Sequence, residues 1–258
     1  MIRGLYTSGW SMLANTKQMD IISNNLANVN TNAYKKDTVV YESFPEMLIK
    51  RINDSKSTDN PSGRVGNMHL GNDVGEVFTY YTRGQLTKTD RSLDMAIADS
   101  DLAFFTVAVP LDNGNFVQRH TRDGAFVLNA DGQLVTKEGY FVMGEGGIIT
   151  LGSEDFSVLE DGTILENGQA INRLLISEFE NENALRKIGE NLVEAAGANP
   201  NEFSGVVKQG YLEQSNVNAI SEMVNMITVM RAYEANQKVL QAQDEALAKA
   251  VNEVGRVR

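Results

Sequence analysis

Ala219–Val254 reads AISEMVNMITVMRAYEANQKVLQAQDEALAKAVNEV. Alternate steps of four and three pick out Ala219, Met223, Met226, Met230, Tyr233, Gln237, Leu240, Asp244, Leu247, Val251 and Val254, nine of eleven of them apolar. Apolar residues at that spacing form one stripe of an α-helix and, sustained over several heptads, mark a coiled-coil seam. Glu234–Lys238 and Glu245–Lys249 add Glu-before-Lys pairs one turn apart on an exposed face. A helix from about 216 to 253 spans roughly 57 Å, long for a globular helix. Gln237 and Asp244 interrupt the seam, as residues that fix register or face a different neighbour do. Val217, Ile220, Val224 and Ile227 form a second stripe, so this helix is apolar on more than one side.

The other end of the chain has the same character. Met1, Leu5, Ser8, Met12, Asn15, Met19, Ile22, Leu26 and Val29 follow a 4,3 spacing with seven of nine apolar. Asn28–Asn32 predicts where this helix stops, because Asn tolerates left-handed backbone just past a helix end.

Between the helices the pattern changes to short apolar, β-branched runs separated by turns. Asp123-Gly124, Asp131-Gly132, Glu138-Gly139, Gly144–Gly147, Asp161-Gly162 and Asn167-Gly168 punctuate it. Phe126–Leu128 and Leu134–Thr136, flanking Asn129–Gly132, are a hairpin signal. The longest apolar run, Ala103–Leu111, contains Thr106 and Pro110 and reads as a buried strand. The expected fold class is α+β: long N- and C-terminal helices forming an antiparallel coiled-coil domain, with a central antiparallel all-β domain. The expected boundaries are 1–51 for the first helix and the extended segment after it, a linker at 52–75, the β domain at 76–195, a second linker at 196–215, and the last helix at 216–258.

Charge and composition narrow the function. The net charge is −11, distributed as +2 over 1–51, −13 over 52–207 and zero over 208–258. An acidic chain argues against nucleic acid and anionic membrane as partners. Neutral ends associate with copies of themselves while an acidic middle stays solvated; acidic drift of a middle domain is the plainer explanation. There is no cysteine, so no disulfide, thiolate nucleophile or thiolate zinc site. No stretch reaches the roughly 18 apolar residues of a membrane helix. Met1–Lys17, broken by Arg3, Thr7, Ser8 and Asn15, lacks the apolar segment of a cleaved signal.

Catalytic chemistry finds no support. His69 falls in a linker and His120 beside Arg119 and Arg122, and two isolated histidines make neither a triad nor a metal site. Gly144–Gly147 has no following Lys-Ser/Thr and reads as a hairpin turn. Asp99-Ser100-Asp101 lacks the further spaced oxygens of a calcium loop. The expected cofactor content is none.

Four segments resemble the flagellar axial family, and within it the basal-body rod proteins. They are Asp20–Asp37 (DIISNNLANVNTNAYKKD), Gly84–Val107 (GQLTKTDRSLDMAIADSDLAFFTV), Thr121–Gly144 (TRDGAFVLNADGQLVTKEGYFVMG) and Gln209–Asp244 (QGYLEQSNVNAISEMVNMITVMRAYEANQKVLQAQD). Ala33 stands where the family pattern has Gly; alanine is less free than glycine to take positive φ, so Asn32 is expected to take that role. Ala103 likewise replaces a Gly. Gly144–Thr150 is more similar to the proximal-rod type, and Ile188–Leu192 and Gln209–Asn218 to the distal-rod type; the proximal type is favoured.

The resemblance implies a structural subunit that assembles with copies of itself and with other rod and hook proteins into a helical tube transmitting torque. It implies passage through the flagellar type III export apparatus without a cleaved signal, and residence in the basal body outside the inner membrane. The residues assigned to the assembly interface are Leu5, Met12, Met19, Ile22, Asn24, Asn25, Leu26, Asn28, Val29, Asn216, Val217, Met223, Met226, Met230, Tyr233, Leu240, Leu247 and Val251. A hook-type axial protein, a non-flagellar coiled-coil adaptor and a ligand-binding β domain are the alternatives.

Overall fold

The computed structural model describes residues 2–50, 64–69, 71–111, 114–152 and 156–254. A helix stands at each end and the region between is rich in β structure. Two compact units result. One joins 1–26, 37–79 and 219–258; the other joins 27–36 and 80–218.

The first unit contains helix α1 (Ile2–Ala27), strands β1 (Asp37–Ser43), β2 (Met47–Lys50), β3 (Arg64–Met68) and β4 (Asn72–Thr79), and helix α2 (Ala219–Lys249), which runs on into a π-turn at Ala250–Val254. Each terminal helix is a single helix. α2 has Glu222 in its first turn and Lys249 in its last, charges that suit the helix dipole. β1 pairs antiparallel with β4 from Asp37↔Thr79 to Ser43↔Asn72, with a bulge at Val40/Tyr41, and β2 pairs with β3 from Met47↔Met68 to Lys50↔Arg64. The strands make a two-stranded ribbon that runs out from the end of α1 and back.

Side chains fix this ribbon along α1. Lys17 bonds Asp73 at 3.0 Å, the Tyr41 hydroxyl donates to Gln18 at 2.5 Å, and the Trp10 and Phe44 rings meet edge to face at 5.0 Å. A two-stranded ribbon is marginal alone in water, so these contacts are what hold it. The expected linker at 52–75 is corrected here: of its described residues, 64–68 and 72–75 are strand, while 52–63 and 70 lie outside the described residues. Its Gly, Asn and Ser content reads as loop, but a hydrogen-bonded ribbon is closed by backbone groups and needs few apolar side chains. Met1 and residues 255–258, expected in the helices, also lie outside the described residues.

The second unit is built on the strand Ala103–Pro110, whose Phe104 and Phe105 are both fully buried. Successive side chains of a strand point to opposite faces, and here each face has its own core. Phe105 and Val107 pack with Met95, Phe126, Leu134, Val142, Ile149 and Ile164; Phe104 packs with Tyr81, Phe179, Leu185 and Val193. Phe116–Thr121 pairs along one edge of this strand, and Phe141–Gly144 and Ile176–Glu178 share the other. The hairpin read from Asn129–Gly132 forms, with Leu134↔Leu128 and Val135↔Val127 in register. A separate three-stranded meander runs through Phe156–Val158, Thr163–Glu166 and Gln169–Arg173.

The second expected linker, 196–215, is corrected as well. Asn201–Glu202, Val207–Gln209 and Tyr211–Glu213 are strands paired with Ile176–Glu178, Met95–Ile97 and Leu86–Lys88 respectively. The β unit therefore reaches Asn218, and residues 76–79 belong to the ribbon.

Ala33 itself adopts φ +55°, so the positive-φ role expected at Asn32 falls to Ala33. Its N–H donates to the Glu213 carbonyl at 2.8 Å and it is buried, which over-determines the conformation. A left-handed β-carbon costs about 1–2 kcal/mol. Ala33→Gly is therefore expected to raise stability by about 1 kcal/mol in urea unfolding, less the entropy glycine adds to the unfolded chain; a fall in the midpoint would contradict the strain.

Candidate assembly interface and its buried anchor

The exposure of α2 separates its faces. Glu222 and Val229 are buried, and Met226, Tyr233, Asn236, Leu240, Gln243, Leu247 and Ala250 are half-buried. These nine residues follow alternate steps of four and three, so they form the inward row. The expected seam shares Met226, Tyr233, Leu240 and Leu247 with it. Of its other members, Ala219 is half-buried, whereas Met223, Met230, Gln237, Asp244 and Val251 are exposed, and Glu222, Val229, Asn236, Gln243 and Ala250 take the neighbouring inward positions. The displacement has a simple cause. A seam chosen for apolarity prefers Met223 and Met230, whereas the helix turns a mixed polar row inward and leaves the methionines out. Gly4 lies against the Gln243 amide with no room for a β-carbon, so α1 touches α2 at that point.

The outward surface is apolar over its first three turns. Ile220 is 74% exposed, Val224 57% and Ile227 52%, with Met223 and Met230 at 46% each. At spacings of three and four these five residues are neighbours. Val217, expected in the same stripe, is buried.

On α1 and just beyond it, Leu5, Met12, Met19, Leu26, Asn28 and Val29 are half-buried, Ile22 and Asn25 buried, and Asn24 exposed. Tyr6, Trp10 and Leu13 are exposed on the opposite side and were not anticipated. They keep a 4,3 spacing of their own on another phase of the helix, so reading a single seam through Leu5 and Met12 passes over them.

The structure gives Asn25 and Asn216 work inside the chain. Asn25 accepts from the Asp37 N–H at 3.0 Å and donates to the Asp37 carbonyl at 2.7 Å, a two-point clip where the chain leaves α1 for β1. Asn216 accepts from Lys36 N–H at 2.7 Å and donates to the carbonyls of Tyr80 and Thr82 at 2.9 and 3.0 Å. The Thr31 hydroxyl donates to Asn28 Oδ1 at 3.1 Å in the turn after the helix. A side-chain amide carries donor and acceptor together and satisfies backbone on both sides, which is why amides gather here.

Beside Asn216 lies the most buried polar constellation of the β unit. Glu213 Oε1 accepts from Lys35 Nζ at 2.6 Å and from the Gly84 N–H at 2.9 Å; Oε2 accepts from Arg122 Nε at 2.7 Å. Side-chain exposure is 4% for Lys35, 2% for Arg122 and 1% for Glu213. Arg122 also donates to the carbonyls of Ala103, Ile97 and Ser100, and Lys35 to that of Thr82. Gly84 sits so close to the Gln214 carbonyl that a β-carbon would collide with it. Burial opposes the charge on Glu213, but Arg122, Lys35 and the Gly84 N–H outweigh it and hold the carboxyl below the ordinary carboxylate range. Sequence reading missed this site, because Lys35, Gly84, Arg122 and Glu213 are far apart in the chain and each looks like a surface charge or a turn. The signal available was that all four residues, three charged and one glycine, fall inside the quoted family-like segments.

His120 is half-buried, 3.4 Å from the Thr106 hydroxyl and edge-on to Phe179, and burial with Arg119 nearby pushes its pKa down. His69 stands 3.3 Å from Glu46 on the ribbon. Among the described residues no group of three or more His, Asp or Glu is arranged to hold a metal ion.

Three family models match this chain: the flagellar basal body rod protein family over residues 5–35, the flagellar hook protein FlgE/F/G D1 domain over 102–166, and the flagellar basal body rod FlgEFG protein C-terminal domain over 208–253. The chain is 39% identical to the flagellar basal-body rod protein FlgG of Buchnera aphidicola (subsp. Acyrthosiphon pisum), across 96% of this chain and 98% of that protein. It is 32% identical to FlgG of Caulobacter vibrioides, across 95% and 97%, and 30% identical to the flagellar hook-basal body complex protein FlhO of Bacillus subtilis, across the whole of both. The chain belongs to the flagellar basal-body rod protein family and is a structural subunit of the rod.

The carboxylate makes a pH prediction. Glu213 has its folded pKa depressed, so its stabilisation is complete above the unfolded value of about 4.3 and is lost as pH falls through the lower folded value. Glu213→Gln should therefore flatten the acid limb of the stability curve below about pH 4. Glu213→Ala, which leaves two buried cations without their anion, should cost about 3–5 kcal/mol near neutrality. Equal acid limbs for wild type and Glu213→Gln in urea titrations would refute the assignment.

Proposed function

We propose that the subunit builds the rod by covering the outward face of α2 against neighbouring copies, and that α1 and α2 pair antiparallel as a coiled coil within that layer. The observation that carries this reading is the row Ile220, Met223, Val224, Ile227 and Met230, left exposed while a different row of the same helix is turned inward. Full burial of each such side chain is worth about 1.5–3 kcal/mol, so many equivalent copies add up to a stiff tube. An apolar face meeting a different surface of the next copy makes a contact that does not close on itself, the condition for a filament. The Gly4–Gln243 contact supports antiparallel pairing, since the start of one helix meets the latter part of the other.

Other rod and hook components are the proposed partners at the ends of the tube, and transmission of torque its mechanical role. Delivery by the flagellar type III apparatus, in an unfolded state, suits a chain with no cysteine. The net charge of −11 opposes nucleic-acid binding, and no described helix is long and apolar enough to cross a membrane. The assembly interface keeps Met223, Met230 and Val251, gains Ile220, Val224 and Ile227, and yields Asn25, Asn216 and Val217 to the subunit's own structure. The end-to-end similarity to rod proteins named FlgG favours that type over the proximal type expected from Gly144–Thr150. Residues 141–148 there form a plain hairpin, Met143↔Ile148 and Gly144↔Gly147.

Ile227→Asp should leave circular dichroism and melting of the free subunit within about 0.5 kcal/mol of wild type, as exposed substitutions do, and abolish polymer growth in light scattering. Leu240→Asp, on the inward row, should lower both helix content and growth. Normal growth by Ile227→Asp would overturn the proposed interface.

A further inference from the structure

The outward row of α2 carries two thioethers in a chain without a single thiol. Of its ten methionines, Met95 is fully buried and Met226 is half-buried on the inward row, whereas Met223 and Met230 are each 46% exposed. They sit among Ile220, Val224 and Ile227, one turn from Ile227 on either side. With no cysteine to react first, exposed methionine sulfur is the soft nucleophile this subunit offers an oxidant.

We propose that Met223 and Met230 are a peroxide-sensitive modification site, and that their sulfoxides keep the subunit out of the polymer. The proposal rests on the reading of this row as the assembly face. The chemistry is complete with hydrogen peroxide as the oxidant. A sulfur lone pair attacks one peroxide oxygen, the O–O bond breaks as the S–O bond forms, and the departing hydroxide takes the proton of the oxygen now bound to sulfur and leaves as water, giving the sulfoxide. Sulfur loses two electrons and peroxide gains them.

The product turns a pliable apolar side chain into a polar one with a fixed S–O dipole. Placed in an apolar contact between helices, that oxygen has no donor supplied by Ile220, Val224 or Ile227, and a buried acceptor without a partner is costly. Modification belongs to the free subunit alone, because the same sulfurs are covered once the row is packed. Met47, 54% exposed on β2 and off the row, reacts equally and serves as the internal reference.

The test treats the full-length subunit with hydrogen peroxide, maps oxygen uptake by peptide mass spectrometry, and follows growth by light scattering. Met223, Met230 and Met47 should each gain one oxygen before Met226 and Met95, and growth should slow about tenfold or more, the effect of one lost buried hydrogen-bond equivalent. Methionine sulfoxide reductase should restore it. Met223→Leu/Met230→Leu, compared only with its own untreated growth rate, should keep that rate after treatment although Met47 is oxidised. Growth of doubly oxidised wild type at the untreated rate, or equal loss in the double variant, would overturn the proposal. Absence of growth by untreated wild type would instead overturn the assembly reading beneath it.

Discussion

One carboxylate organises the β unit. Glu213 receives an ammonium from the segment after α1, a guanidinium from the strand end at Arg122, and a backbone N–H from Gly84 on the segment returning from the ribbon. Glu213 itself lies on the strand just before α2. Four segments far apart in the chain thus meet within the β unit at one buried anion. A buried ion pair is a weak net source of stability, since desolvation offsets much of the attraction. Its value here is specificity. Any arrangement that moves one segment away strands a charge in the interior, so these segments of the β unit are held in one geometry. Asn216 and Ala33 extend the same logic with backbone hydrogen bonds, and Ala33 accepts a left-handed conformation to keep its own.

The two units then differ in kind. The β unit closes two apolar cores around Phe104 and Phe105 and satisfies its polar anchor internally. The helices and ribbon leave Ile220, Val224, Ile227, Trp10, Val40, Met47 and Val77 exposed. Exposed apolar residues are ordinary singly, but grouped on one helix face they mark an interaction surface. The β unit closes its cores without that surface, which leaves it free for the assembly role proposed above.

Much of this was legible in the sequence because it is written in short-range patterns. The helices followed from 4,3 spacing, the strand at Ala103–Pro110 from an apolar run, and the hairpin from Asn129–Gly132. What escaped depends on residues far apart in the chain. The rotation of α2 by one residue is decided by what the rest of the chain covers, so Met223 and Glu222 exchange roles against their polarity. The ribbon is closed by backbone pairing between segments far apart in the chain, for example Val39↔Val77, and polar composition concealed it. Lys35, Arg122 and Glu213 look individually like surface charges; only the fold joins them. Asn25 and Asn216 were recognised as functional amides, but their partners proved to be the chain's own backbone.

Native-state amide exchange on the Gly84 and Ala33 N–H groups, the first held by the Glu213 carboxylate and the second by its carbonyl, tests the central claim most directly. If the anchor fixes these segments within the β unit, both amides exchange only through global opening, with the same free energy and denaturant dependence as the core amides of Ala103–Pro110. Exchange of either through a local opening, several kcal/mol below the core and insensitive to denaturant, would contradict it.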